Sequence, residues 1–191
     1  MSLNYWNSRW EKKETGWDIG YASPAIVNYL NLIENKNIAI LIPGCGNAYE
    51  AEYLVEKGFS NITLIDIAPL AVDNLKSKFS GNENIKILCE DFFEHQGNYD
   101  LVIEQTFFCA IPPEKRQTYV EKMHNVLNEN GKIVGLLFNK QFNNPFPPFG
   151  GSFVEYKELF TPFFDINVME TCNSSILPRK GNELFICFQK K

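Results

Sequence analysis

Short runs of β-branched and aliphatic residues alternate along the chain with longer stretches in which apolar residues recur at helical spacing. The runs that predict strands cover residues 38–42, 62–65, 85–88, 101–103 and 132–138. The predicted helices between them cover residues 49–57, 69–79 and 114–127, and Asn130-Gly131 is expected to end the last of these. This alternation is typical of a largely parallel sheet covered by helices on both faces.

Two further apolar runs near the C-terminus predict a pair of strands. They cover residues 166–169 and 184–188, and the polar stretch 173–182 separates them. Because they follow one another directly, they are expected to pair in antiparallel fashion at the end of the sheet. With 191 residues and 45% hydrophobic content, the chain is expected to form one domain over residues 1–191, with residues 1–35 as an N-terminal helical extension.

The first predicted strand runs into a glycine turn, Pro43-Gly44-Cys45-Gly46. Glycines in such a turn let the backbone approach a ligand, and a helix is expected to begin near Asn47. The second strand ends on Asp66, twenty residues after Gly46, where a carboxylate can accept both hydroxyl protons of a ribose. Together these features indicate an adenosine site, whereas the glycine turn alone also fits a tight turn without a ligand.

Nicotinamide dinucleotides and S-adenosylmethionine both place adenosine in sites of this kind. The third position of the dinucleotide fingerprint is Tyr49 here, not glycine, and a tyrosine obstructs the close packing that a pyrophosphate needs. The third strand leads to Cys89-Glu90-Asp91-Phe92-Phe93, where an acid and an aromatic are placed to bind an adenine amino group and to cover its face, although an ordinary strand-end loop is the alternative. S-adenosylmethionine is therefore the expected cofactor.

All three tryptophans precede the first predicted strand. Trp6 and Trp10 lie four residues apart and would share one helix face, while Trp17 follows in a turn before a helix expected at Ser23-Pro24. Two interpretations are open. The indoles form either a hydrophobic clamp for the N-terminal extension or a lid that meets a sulfonium cation and an amino-acid carboxylate.

Charge and cysteine content argue against several classes of protein. The net charge of −5 lacks the basic excess of a phosphate-backbone binder, so no nucleic acid is expected as a partner. No apolar run is long enough to span a membrane and the N-terminus lacks a signal-peptide core, so a cytoplasmic protein without membrane contact is expected. The five cysteines show no C-x-x-C spacing, and no metal site is expected.

Four spaced motifs cover nearly the whole chain. They are Trp6-x3-Trp10-x6-Trp17-Asp18-x-Gly20, Pro43-Gly44-Cys45-Gly46, Phe107-Phe108-Cys109-Ala110-Ile111 and Pro147-Pro148-Phe149. In this order they resemble the thiopurine methyltransferase family, most closely its plant branch of halide and thiol methyltransferases. The resemblance implies a Rossmann-like class I fold that uses S-adenosylmethionine, a seven-stranded, mostly parallel sheet with an antiparallel C-terminal strand, and a monomeric enzyme.

The resemblance also implies which residues contact the cofactor. They are Trp6, Trp10, Trp17, Gly44, Asp66, Asp91 and Phe92, and the neighbouring Cys45, Gly46, Ile67 and Glu104 complete the expected cofactor site. Gln105 falls at a further contact position, which is an arginine in the thiopurine enzymes and a tyrosine in the halide and thiol branch. Gln105 therefore departs from the family pattern.

The acceptor pocket is expected to be aromatic. Its expected members are Phe107, Phe108, Phe146 and Phe149, with Arg179 as a positive charge near the entrance, although such aromatics equally suit a core. No obvious catalytic base is present, and Glu104, the nearest carboxylate at a strand end, is expected to brace the cofactor loop. A thiolate or an inorganic anion already carries its lone pair at neutral pH, so the pattern favours these acceptors.

The expected function is methyl transfer from S-adenosylmethionine to a thiol, thiocyanate, hydrosulfide or halide ion. A thiopurine, or another small molecule methylated on S, O or N, is the alternative within this class. An NAD-binding oxidoreductase and a non-catalytic adenosyl-binding protein stay open as other classes. A nucleic-acid amino methyltransferase would carry Asn/Asp-Pro-Pro-aromatic after the fourth strand, where this chain has Glu104-Gln105-Thr106-Phe107.

Overall fold

Seven strands form one sheet in the computed structural model, which describes residues 2–191. The strands are β1 (Ile40–Pro43), β2 (Ile62–Asp66), β3 (Ile85–Cys89), β4 (Tyr99–Gln105), β5 (Leu127–Phe138), β6 (Phe164–Thr171) and β7 (Glu183–Lys190). Their order across the sheet is β3-β2-β1-β4-β5-β7-β6. Neighbours from β3 to β5 pair in parallel, whereas β7 runs antiparallel to β5 and β6. The predicted fold class is confirmed, including the antiparallel strand near the C-terminus.

Helices precede the sheet and connect its strands. They are α1 (Leu3–Glu11), α2 (Pro24–Leu30), α3 (Tyr49–Glu56), α4 (Pro69–Lys78), α5 (Arg116–Val126) and α6 (Phe153–Phe160). Both α2 and α4 begin with a proline, whose fixed φ suits the first helical position. Within residues 2–191, no helix has the length and apolar content needed to cross a membrane.

The central strands are buried on both faces because alternate side chains enter different core clusters. In β1, Ile40 and Ile42 pack into one cluster with Leu54 of α3, while Leu41 packs into the other with Tyr119 of α5. Every residue of β1 and β2 is buried. This double coverage explains why these strands are nearly continuous apolar runs in the sequence.

The strand order reverses between β1 and β4. On one side of this point lie β2 and β3, and on the other lie β5, β7 and β6. In open α/β sheets, the loops that leave the carboxyl ends of the strands diverge at such a reversal and form a crevice for ligands. The glycine turn after β1 and the motif that begins at Phe107 after β4 both lie at this crevice.

Two helix predictions differ from the structure. Helix α5 ends at Val126, before the expected Asn130-Gly131 stop, because Leu127 already pairs with Tyr99 of β4. Helix α6 was not predicted, although Ser152 and Glu155 form the S-x-x-E pattern of a capping box. The Ser152 hydroxyl accepts a hydrogen bond from the Glu155 N–H at 3.3 Å and so begins this helix.

Candidate active site

A cavity of about 480 Å³ opens at the carboxyl ends of the parallel strands. Its wall contains residues that follow β1, β2, β3, β4 and β5, together with α1 and the loop before β7. Among the predicted site residues, the wall contains Trp6, Trp10, Trp17, Gly44, Gly46, Asp66, Ile67, Asp91, Phe92, Phe107 and Arg179. The crevice expected from the strand order is therefore a formed cavity that gathers most of the predicted residues.

The conformation of the glycine turn accommodates two neighbouring side chains, Phe107 and Asp66, as well as the open cavity. Gly44 has φ of +57°, and a Cβ there would lie 2.2 Å from the ring of Phe107. Gly46 has φ of +52°, and its N–H donates to Asp66 Oδ2 at 3.0 Å. Because glycine adopts positive φ without steric cost, the turn can admit the Phe107 ring and hold the Asp66 carboxylate.

Asp66 is a buried carboxylate on the cavity wall. Besides the Gly46 bond, its Oδ1 accepts the Ala68 N–H at 2.9 Å. Burial raises the pKa of the Asp66 carboxyl, while the N–H donors of Ala68, Gly46 and Ile67 oppose the shift. These donors fix the carboxylate in place, and its remaining acceptor capacity can still take a ligand hydroxyl.

The loop after β3 supplies a second acidic position and an aromatic face. Asp91 Oδ1 accepts the Phe93 N–H at 2.9 Å, which closes a tight Asx turn. Phe92 is buried and packs edge to face on Phe107, with ring centroids 5.3 Å apart. The Glu90 side chain also lines the cavity here. This rim therefore combines carboxylates with ordered aromatic rings.

The N-terminal segment, residues 2–20, covers the cavity with its three indoles. Trp17 packs edge to face against both Trp6 and Trp10, at centroid distances of 5.5 and 6.0 Å. No residue of α1 is fully buried. The tryptophans therefore line a ligand-sized space instead of filling the core of the domain.

Four hydrogen bonds attach the N-terminal segment to the domain. Asn7 Oδ1 accepts the Leu70 N–H at 3.0 Å at the start of α4. The Asp18 carboxylate accepts from the Tyr49 hydroxyl at 3.3 Å and from the Asn47 amide. On the other side, Arg179 Nη2 donates to the Trp17 carbonyl at 2.9 Å. Tyr49 thus helps to hold the segment that covers the glycine turn.

Glu104 lies beneath the cavity and outside its wall. It is 1% exposed, and its carboxylate accepts from the N–H of Phe107 (2.9 Å), the N–H of Phe108 (2.8 Å) and the Tyr119 hydroxyl (2.5 Å). Burial raises the pKa of Glu104 to about 7, against the effect of these donors. The side chain therefore braces the loop after β4 and points away from the cavity.

The wall near β4 and β5 is aromatic and carries two cations. It contains Phe107, Phe138 and Phe142 beside the Pro147-Pro148 pair, with the cationic side chains of Lys140 and Arg179. The Arg179 guanidinium stacks over Phe138 at 5.6 Å from the ring centroid. An apolar surface with nearby positive charge suits a small anion or a planar thiol.

Five other predicted site residues do not reach the main cavity wall. Cys45 and Gln105 line a smaller cleft of about 50 Å³ on the far side of the glycine turn. Phe108 is a core residue that packs on Tyr119 and Tyr156, and Phe146 is 58% exposed and stacks on Tyr5. Phe149 is fixed by its N–H to the Cys109 carbonyl at 2.7 Å. These positions are adjacent in sequence to wall residues, but their side chains point elsewhere.

Several wall residues were not predicted from the sequence. The principal ones are Tyr5, Arg9, Glu90, Thr106, Cys109, Lys115, Phe138, Lys140 and Phe142. Tyr5 and Arg9 each precede a predicted tryptophan by one position on α1. Thr106 and Phe138 lie at the carboxyl ends of β4 and β5, which the crevice rule would have found once the strand order was known.

The sheet order, with a cavity at its reversal, is the Rossmann-like fold of the class I methyltransferases. Two solved structures share this fold at low sequence identity. The didemethyltoxoflavin N1-methyltransferase of Burkholderia thailandensis, with bound S-adenosylhomocysteine, has a TM-score of 0.77 at 17% identity and covers 99% of this chain and 87% of its own. The magnesium protoporphyrin IX methyltransferase of Synechocystis, with bound S-adenosylmethionine, has a TM-score of 0.77 at 14% identity and covers 99% and 95%.

The family model of thiopurine S-methyltransferase matches residues 1–189, and the chain belongs to this family. The probable thiol methyltransferase 2 of Arabidopsis thaliana is 31% identical, with 93% of this chain and 81% of that protein covered. Thiocyanate methyltransferase 1 of Brassica oleracea is 27% identical with the same coverage, and the thiopurine S-methyltransferase of Acinetobacter baylyi is 24% identical, with 95% and 94% covered. The chain is therefore an S-adenosylmethionine-dependent methyltransferase, as the resemblance implied.

Proposed function

We propose that this enzyme transfers the methyl group of S-adenosylmethionine to a soft nucleophile, which is a thiol, thiocyanate, hydrosulfide or a halide ion. The observation that carries the proposal is the polarity of the cavity. Three wall carboxylates lie at the ends of β2 and β3, with the cation Lys115 over Phe93 at the same rim. An aromatic wall with Lys140 and Arg179 lies beside β4, β5 and the loop before β7. A cationic cofactor and an electron-rich acceptor would occupy these two halves.

The proposed cofactor position follows the wall from β3 to the N-terminal segment. Asp66 would accept the ribose hydroxyls, while Asp91 and Phe92 would hold the adenine. Gly44, Gly46 and Ile67 would allow close approach of the adenosine. Across the cavity, Trp6, Trp10 and Trp17 would meet the sulfonium and the amino-acid end through their ring faces and N–H groups.

Methyl transfer from a sulfonium is an in-line displacement. The lone pair of the acceptor forms a bond to the methyl carbon while the bond between this carbon and the sulfonium sulfur breaks, and S-adenosylhomocysteine leaves as a neutral thioether. The protein contributes alignment and exclusion of water. A thiolate or an inorganic anion needs no enzyme base for this step.

Two titratable groups near the acceptor half are held in other roles. Glu104 receives three hydrogen bonds below the wall and so has no free face toward the cavity. Cys109 lies on the wall, but burial, assisted by the Glu104 charge, raises the pKa of its thiol to about 12, and its Sγ–H donates to the Thr106 carbonyl at 3.2 Å. The thiol therefore stays protonated and does not compete as a nucleophile.

The named relatives support two acceptor classes. The plant relatives named as thiol and thiocyanate methyltransferases support the primary proposal. The bacterial thiopurine S-methyltransferases support a second candidate, an aromatic thiol such as a thiopurine. Such a ring would gain contacts with Phe107, Phe138 and Phe142 and would lose less hydration than an inorganic ion, so inorganic ions are expected to show the higher KM values.

We further propose that residues 1–191 act as one methyltransferase domain, with residues 1–35 as its helical extension, of which the N-terminal segment, residues 2–20, is the lid. We propose a cytoplasmic monomer whose partners are the cofactor and a small acceptor, without nucleic acid or membrane.

The test is methyl transfer from labelled S-adenosylmethionine to thiocyanate, iodide, hydrosulfide, an aryl thiol and a thiopurine in parallel, with a catechol, an amine and DNA for comparison. The proposal expects turnover on at least one sulfur or halide acceptor and negligible rates on the catechol, amine and DNA. Faster turnover on an alcohol or amine than on every sulfur acceptor would contradict it. Calorimetric titration with S-adenosylhomocysteine and with NAD distinguishes the methyltransferase from the oxidoreductase alternative, because the proposal expects binding of S-adenosylhomocysteine and not of NAD.

A further inference from the structure

A buried histidine connects the cavity wall to the interior of the domain. His95 is 4% exposed, and its two ring nitrogens each face one partner. Nδ1 lies 2.5 Å from Glu90 Oε1, and Nε2 lies 2.8 Å from the Tyr99 hydroxyl. Because an ionised carboxylate only accepts hydrogen bonds, the Nδ1 atom carries a proton and donates it to Glu90. Glu90 in turn lines the proposed cofactor cavity.

The loop after β3 is built to bring His95 back to Glu90. The Asp91 carboxylate accepts the Phe93 N–H, and the Phe92 carbonyl accepts the His95 N–H at 3.2 Å. Gly97 leaves room for the pair, since a Cβ there would lie 2.7 Å from the Tyr99 ring and 3.0 Å from His95 Nε2. The histidine is therefore fixed from several directions, while the Glu90 side chain is 38% exposed toward the cavity.

The position of Glu90 assigns it to the base end of the proposed cofactor. Its N–H donates to the Asp66 carbonyl at 3.1 Å, and Asp91 is its next neighbour in the chain. Asp66 is proposed to take the ribose hydroxyls, which leaves the exocyclic amine as the other polar-hydrogen donor of adenosine. This amine has two hydrogens, and Asp91 has already committed one oxygen to Phe93.

We propose that Glu90 accepts a hydrogen bond from the exocyclic amine of the cofactor's adenine and thereby selects adenine over hypoxanthine. His95 is the positioning residue that holds this carboxylate on the wall, with Tyr99 as its outer hydrogen-bond partner. The inference rests on the proposed cofactor site. It adds an adenine-recognition site formed by these three side chains. His95 and Tyr99 lie behind the cavity wall and act through Glu90.

The test compares the affinities of two ligands, S-adenosylhomocysteine and its deaminated analogue S-inosylhomocysteine, for the full-length protein. Glu90→Gln keeps an oxygen for His95 but presents an N–H to the cavity. We expect it to weaken S-adenosylhomocysteine binding about tenfold, since a charged acceptor is replaced by a donor. Binding of the inosine analogue should be unchanged or tighter, because the amide can donate to its carbonyl. Glu94→Gln, at the exposed neighbouring acid, is the matched control.

The histidine is tested by a pair of variants and by turnover. His95→Asn places an amide donor near the Nδ1 position and should restore wild-type KM for S-adenosylmethionine, whereas His95→Leu should raise KM and leave kcat unchanged. If the buried leucine unfolds the protein, the Glu90→Gln affinities decide alone, because that side chain is half exposed.

The inference would be overturned if Glu90→Gln lost affinity equally for S-adenosylhomocysteine and S-inosylhomocysteine, or if it lost affinity for neither ligand. If the wild-type protein still binds S-adenosylhomocysteine while the Glu90→Gln test fails, only the role of Glu90 is refuted and the proposed cofactor site stands. Failure of the wild type to bind S-adenosylhomocysteine would instead refute the proposed site itself.

Discussion

Asp66 shows how one side chain both builds the site and faces the ligand. Its two oxygens hold the Gly46 and Ala68 N–H groups, which joins the turn after β1 to the loop after β2. Those bonds fix the carboxylate before any ligand arrives, so little conformational entropy is lost on binding. The cost is desolvation, which raises the Asp66 pKa.

We predict that Asp66→Ala weakens S-adenosylhomocysteine binding by ~1–3 kcal/mol, because two ribose hydroxyls lose a charged acceptor. Asp66→Asn should weaken binding less, since its amide oxygen can still accept one bond. Calorimetric titration measures both affinities, with Asp73→Asn on the exposed side of α4 as the control. Unchanged affinity in Asp66→Ala would remove Asp66 from the cofactor site.

Glu104 gives a pH-dependent prediction for stability. Burial raises its pKa from the ordinary 4.5 to about 7, so the folded chain holds this proton more tightly than the unfolded chain does. The resulting stabilisation is fully present below pH 4.5 and is lost as the pH rises to about 7.

Relative to Glu104→Gln, which does not titrate, the wild type should lose up to ~1.4 kcal/mol of unfolding free energy per pH unit within that window. Urea unfolding of both proteins across the window measures the difference. Unfolding free energies that run parallel for the two proteins would show that Glu104 titrates normally in the folded chain.

At the scale of elements, α1 and the turn that follows it are attached to the domain by hydrogen bonds at their edges and not by buried apolar side chains. The first buried apolar residue among those the structure describes is Ala25, beyond the N-terminal segment. The segment is held by Asn7, Asp18 and the Arg179 contact to Trp17, while its indoles face the cavity. This arrangement favours a lid over a structural clamp.

We predict that deletion of residues 1–19 leaves a folded sheet that binds S-adenosylhomocysteine at least about tenfold more weakly, a loss of ~1.4 kcal/mol or more. The sheet survives because the core clusters contain no side chain from this segment. Circular dichroism and calorimetry report fold and affinity. Leu3→Ala, at an exposed position of α1, is the control, and a deletion that unfolds the domain would instead support the clamp.

Patterns local in sequence predicted most elements and part of the cavity wall. The apolar runs predicted the strands because the sheet is buried on both faces, and the glycine turn and Asp66 were found as wall residues because both follow strands directly. The wall beside Phe138, Lys140 and Phe142 depends on how a long loop folds back after β5, which no local pattern encodes. The contact between His95 and Glu90 likewise needed the turn at residues 90–95 to be seen in three dimensions.

At the scale of the whole molecule, the order of the strands determines which part of the cavity wall carries the carboxylates. The carboxylates follow β2 and β3 on one side of β1, where Lys115 also lies over Phe93. The cations Lys140 and Arg179 lie on the side of β5 and β7. An anionic acceptor would meet favourable charge beside these two cations, the sulfonium would face the indole rings, and the apolar wall strengthens both interactions by excluding water.

In the proposed reaction, a soft nucleophile attacks the methyl group without an enzyme base. The most direct measurement is the pH dependence of kcat/KM for two aryl thiols of different pKa with S-adenosylmethionine as the donor. We predict that each rate rises with pH up to the pKa of that thiol and then levels off, so the two inflections differ. A common inflection or a shared bell-shaped profile for both thiols would contradict the account, as would the absence of turnover on either.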